Sequence, residues 1–133
     1  MAAEAFQGKW NMMESENFDE YMKAVGVGLV MRKLAGAAKP QQDIKVDGDK
    51  IQILTSTTFK STDLSFELGK EFDEVTGDGR NVKSICTLEG NTLKHVSKGD
   101  PDTVITREFN GNDMTMTLEA KGVTCTRKYH RAE

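Results

Sequence analysis

From residue 40 onward, turn residues cut the chain into short segments, several of them close to ten residues long. That rhythm is the mark of antiparallel strands joined by hairpins. The breaks are Asp47-Gly48-Asp49, Gly77-Asp78-Gly79, Glu89-Gly90-Asn91, Gly99-Asp100-Pro101, Asn110-Gly111-Asn112 and Lys121-Gly122. Between them the residues alternate with period two. Met114, Met116 and Leu118 share one face, and Thr115, Thr117 and Glu119 share the other. The same period across the last segment groups Val123, Cys125, Arg127 and Tyr129 against Thr124, Thr126, Lys128 and His130. An arginine therefore lies on the face that a valine and a cysteine mark as interior. Most strand arginines point outward and pair with surface acids, and it is the company of Cys125 and Tyr129 that argues the other way here.

One stretch departs from the strand pattern. Asn17-Phe-Asp-Glu20 reads as a helix start with a capping box, and Gly26 ends that helix. A second short helix is expected from about Gly28, carrying Leu29, Val30, Met31, Leu34 and Ala35 at helical spacing and closed by Lys39-Pro40. The layout is a strand, two short helices and about nine further strands. A length of 133 residues fits one domain spanning 1–133.

Charge and cysteine content narrow the function. A net charge of -3 offers no broad cationic surface for a polyanion, so nucleic-acid binding is disfavoured. The N-terminus lacks the basic start and apolar stretch of a secretory signal, and the apolar run Ala24 to Met31 is too short to span a bilayer. A cytoplasmic protein is expected. Cys86 and Cys125 have no second Cys or His at metal-ligand spacing, so free thiols and no metal are expected. His95 and His130 form no grouping of nucleophile, base and orienting residue. Neither enzymatic chemistry nor a cofactor is implied.

Gly8-Lys-Trp10-Asn-Met12 followed by Asn17-Phe18-Asp19-Glu20-Tyr21-Met22 closely resembles the N-terminal fingerprint of the cytosolic fatty-acid-binding proteins, in particular the heart and myelin subgroup. The likeness runs on through Thr57-Thr58-Phe59-Lys60, Glu71-Phe72-Asp73-Glu74, Asp78-Gly-Arg80, Thr106-Arg107-Glu108 and Cys125-Thr-Arg127-Lys-Tyr129 and covers essentially the whole chain. The resemblance implies an all-β fold: a ten-stranded antiparallel up-and-down β-barrel of the calycin type, flattened like a clam, with a two-helix cap. It also implies a monomeric carrier that holds one long-chain fatty acid and is not an enzyme. The ligand carboxylate would be bound by Arg107, Arg127 and Tyr129. A carboxylate taken out of water needs charge-assisted donors, which a guanidinium fork and a phenol supply.

By the same resemblance, Phe18, Tyr21, Met22, Pro40, Thr57, Asp78, Met116 and Leu118 would line the tail and the portal, with Phe59 gating the mouth or simply packing in the core. Lys23, Arg32 and Lys33 would lie on the cap, either as a solvated helix face or as a basic patch for transient membrane contact or nuclear import. Two rival functions stand beside the fatty-acid reading. A retinoic-acid binder of the same family would use a similar arginine pair, and Thr55-Ser-Thr-Thr58 looks somewhat retinoid-binder-like. A membrane-stacking structural protein is the rival from another class, and the negative net charge argues against it.

Overall fold

The computed structural model describes residues 2–58 and 60–132. A 3-10 turn (Ala2–Phe6) leads into β1 (Gly8–Glu16), then α1 (Phe18–Ala24) and α2 (Leu29–Ala37). Nine strands follow: β2 (Gln41–Asp47), β3 (Lys50–Ser56), β4 (Ser61–Glu67), β5 (Phe72–Val75), β6 (Asn81–Glu89), β7 (Thr92–Lys98), β8 (Thr103–Asn110), β9 (Asp113–Ala120) and β10 (Val123–Arg131). They form one ten-stranded sheet in the order β4-β3-β2-β1-β10-β9-β8-β7-β6-β5, with neighbouring strands antiparallel. This is the expected up-and-down barrel, nearly closed on itself. Among the described residues no ladder joins β4 to β5. Side chains bridge that seam instead, where Phe66 and Phe72 stack at 5.6 Å between ring centres.

β1 makes closure possible. Residues 8–11 pair with β2 and residues 10–16 run along β10, so the strand is held on both sides, and a bulge between Met12 and Glu14 interrupts the β10 ladder. At the closed end Phe6 stacks on Phe109 at 3.9 Å, and Trp10 meets Phe109 edge-on at 5.3 Å. Trp10 is fully buried and donates from Nε1 to the Phe6 carbonyl at 3.0 Å. Arg131 locks this end, donating to the Gln7 and Ala5 carbonyls at 2.5 and 2.8 Å while lying 4.2 Å over the Trp10 ring. Gly8 adopts φ 139°, a conformation that strains any other residue, and a Cβ there would sit 2.5 Å from Arg131 Nη1.

The helix pair covers the other end. Both helices form where expected, but the capping box does not. Asn17 adopts φ 65° and makes no capping bond among the described residues; its amide instead donates to the Thr124 carbonyl at 2.9 Å. Asparagine tolerates the left-handed region, so Asn17 ties the start of α1 to β10 rather than to its own helix. None of the described α2 residues is buried. Leu29, Val30, Met31 and Leu34 are all exposed.

Candidate functional site: a cationic head pocket in an apolar cavity

Register brings the site together. The hairpins at Gly111 (φ 63°) and Gly122 (φ 76°) align β8, β9 and β10 so that Met116 faces Arg107 on one side and Arg127 on the other. Two strand spacings, roughly 10 Å, separate the two arginine backbones. Period two adds Tyr129 to the same inner face. Arg107, Arg127 and Tyr129 are 4%, 6% and 2% exposed.

Each guanidinium is only partly satisfied. Arg107 donates from Nε to Gln42 Oε1 at 3.0 Å, and Arg127 donates from Nε to Ser15 Oγ at 3.0 Å. Arg107 Nη1 and Arg127 Nη2 have no hydrogen-bond partner among the described residues. Neither arginine has a carboxylate within ion-pair distance there. Phe18 of α1 lies flat against Arg127, 3.5 Å from the guanidinium carbon to the ring centre. Burial pushes both guanidinium pKa values down, with nearby Tyr129 and cysteine groups acting in the opposite sense. Arginine nevertheless remains charged.

These groups open onto an internal cavity of about 460 Å³, within the range of small-molecule sites. Phe18, Tyr21, Met22, Pro40, Thr57, Asp78, Met116 and Leu118 all line it, beside Arg107, Arg127 and Tyr129. Burial raises the Tyr21 phenol to about 12, so it stays a neutral donor. Asp78 is held by Arg80 Nε at 2.6 Å and by the Thr76 hydroxyl at 2.8 Å. Phe59, the expected gate, lies outside the described residues.

A sequence profile of the lipocalin / cytosolic fatty-acid binding protein family matches residues 7–132. The chain belongs to that family. Sodium/calcium exchanger regulatory protein 1 of Doryteuthis pealeii is 55% identical to this chain over 133 residues, 100% of both. Fatty acid-binding protein homolog 5 of Caenorhabditis elegans is 50% identical over 135 residues, 98% of this chain and 99% of its own. The Schistosoma mansoni fatty acid binding protein, solved in complex with arachidonic acid, superposes with a TM-score of 0.95 at 38% identity over 100% of each chain. The family is one of lipid carriers rather than of enzymes.

The cap patch is less basic than its composition implies. Lys23 Nζ lies 3.6 Å from Asp19 and 3.4 Å from Glu20. Arg32 donates to Asp19 at 3.0 Å and to the Val27 carbonyl at 2.8 Å. Of the three cations, Lys33 alone makes no ion pair among the described residues.

Sequence reasoning did not place Gln42, Glu74, His95 and Ser97 on the cavity wall, where the fold puts them, with Ser84 hydrogen-bonded behind Glu74. His95 is 2% exposed, and its Nε2 lies 2.8 Å from Glu74 Oε1. Ser84 Oγ donates to the same Glu74 oxygen at 2.7 Å and lies 2.8 Å from Ser97 Oγ. Two signals for them were present: Leu93, His95 and Ser97 alternate inward on β7, and Gln42 shares a face with Ile44 on β2. No metal-binding group of three ligands occurs among the described residues.

Proposed function

We propose that this chain reversibly binds one long-chain fatty acid within its barrel and carries it through the cytosol as a monomer. The observation that carries the reading is the pair of buried guanidinium groups, without a carboxylate partner among the described residues, at the wall of a largely apolar cavity. Burying a charge is costly unless it is paired. A ligand carboxylate supplies the missing charge and accepts from the free Arg107 and Arg127 nitrogens, with Tyr129 as a third donor. The acyl tail then lies among Phe18, Met22, Met116 and Leu118. Methionine is flexible and polarisable, and so follows a bent chain. The relatives named for fatty acids favour a fatty over a retinoic acid.

Transient membrane contact is part of the same proposal. Leu29, Val30, Met31 and Leu34 offer an exposed apolar face on α2, and unpaired Lys33 lies beside them. This suits collection and delivery of ligand at an anionic bilayer.

Mass spectrometry of the lipid that co-purifies with the native protein, followed by competition between oleic and retinoic acids, tests the reading. Fatty acids in the extract and a preference for oleate are expected. A bound retinoid, or a clear preference for retinoic acid, would overturn it.

A further inference from the structure

The cavity holds a second polar cluster whose chemistry is the opposite of the first. Glu74 and His95 line the same cavity as Arg107 and Arg127. His95 pairs with Ile105, whereas Leu93 pairs with Arg107, so His95 is a diagonal neighbour of Arg107 across the β7–β8 ladder, roughly 7–8 Å away. Glu74 lies farther round the wall on β5, where it faces Val82 of β6.

The hydrogen bonds of this cluster leave an acceptor unused. His95 Nε2, at 2.8 Å, and Ser84 Oγ, at 2.7 Å, both lean on Glu74 Oε1. Ser97 Oγ lies between Ser84 Oγ at 2.8 Å and His95 Nε2 at 3.3 Å. Glu74 Oε2 makes no hydrogen bond among the described residues, and the Glu74 side chain keeps 13% of its exposure while His95 keeps 2%. His95 Nδ1 too is without a partner among the described residues. Burial acts to raise the Glu74 carboxyl, but the bonds from His95 and Ser84 and neighbouring positive charge that includes Arg107 hold it below its ordinary value, so it is an ionised, acceptor-only group near neutral pH.

A cavity with spare donors at Arg107 and Arg127 and a spare carboxylate oxygen at Glu74 suits a ligand with complementary groups. We infer that Glu74 and His95 form a second station that selects an acyl chain bearing a hydroxyl, whose O–H donates to Glu74 while the carboxylate lies at the arginines. A ketone or an epoxide at the same carbon brings an acceptor to the Glu74 carboxylate and gains nothing.

The inference rests on the carboxylate reading above, and one displacement series separates the two. Stearic acid, its positional hydroxystearic isomers and the matching ketostearic acids compete with a fluorescent fatty acid on the wild-type protein. At least one hydroxy isomer should bind about tenfold more tightly than stearate, as a hydrogen bond to a charged group allows, with no gain for its ketone. In Glu74→Gln, which removes the charge but keeps the shape, the ratio of hydroxystearate to stearate affinity should fall toward one. If every hydroxy isomer binds within about threefold of stearate, or the ketone gains as much as the alcohol, the second station is overturned. It is equally overturned if Glu74→Gln keeps the full ratio. Failure of stearate itself to bind would instead overturn the carboxylate reading.

Discussion

A buried arginine without an anion destabilises the protein that carries it, and Arg107 is such a residue. It is 4% exposed, it donates to an amide rather than to a carboxylate, and one of its terminal nitrogens is unpartnered among the described residues. Under the proposed function, stability and ligand binding therefore pull in opposite directions at this residue. Delipidated Arg107→Gln should melt at or above the wild-type temperature while binding fatty acid less well, and a fall of more than about 5 °C would contradict the charge argument. Glu74 behaves in the opposite way. Burial works to raise its carboxyl pKa, but the His95 and Ser84 bonds, together with neighbouring positive charge that includes Arg107, outweigh it and hold the group below its ordinary value. Its stabilisation is therefore complete above the unfolded pKa and is lost as pH falls through the lower folded value. Melting curves of the ligand-free protein between about pH 5 and pH 2 should fall less steeply for Glu74→Gln than for wild type. The thiols are a further check, since burial pushes Cys86 to about 12 and also raises Cys125. A thiol-specific disulfide reagent at pH 8 should label both cysteines in denaturant and neither promptly in the native state. At this scale Arg127 was legible because Cys125 and Tyr129 flank it at period two. Glu74 was not: β5 spans only four residues, too few for alternation to reveal an inner face.

Among the elements, the cap departs furthest from a reading by pattern. The helical spacing of Leu29, Val30, Met31 and Leu34 points to a short helix from about Gly28, and α2 spans Leu29–Ala37, yet these side chains stay exposed. Periodicity locates an apolar stripe but says nothing about what covers it. If the stripe meets bilayers, Val30→Glu should slow transfer of a fluorescent fatty acid to anionic vesicles by several-fold without weakening its binding in solution. Equal transfer rates would remove α2 from the delivery step. The β4–β5 seam was also hidden, because the break between Glu67 and Phe72 is not among the turn signals and local sequence does not record which strands pair. Only the sheet order shows that these two strands do not pair and that Phe66 and Phe72 hold the edges together. By contrast, the six turn signals after residue 40 all fall between strands, because a tight hairpin leaves its chemistry in local sequence.

At the scale of the whole molecule, the closed end is packed with aromatic rings, the capped end is covered by two helices, and the polar groups lie between them on the inner wall. A ligand that bridges these regions binds only the folded barrel, so it should raise the melting temperature in proportion to the logarithm of its concentration. At about a hundredfold excess over Kd the gain is about 2.7 kcal/mol, or roughly 10 °C for a chain of this size. The central claim is that the arginine pair recognises charge rather than chain length or shape. Its most direct test is the affinity of oleic acid against that of oleyl alcohol in wild type, Arg107→Gln and Arg127→Gln. Each substitution should weaken the acid by about tenfold to a hundredfold and leave the alcohol nearly unchanged, as expected for lost charge-assisted hydrogen bonds. Equal losses for acid and alcohol would contradict the account.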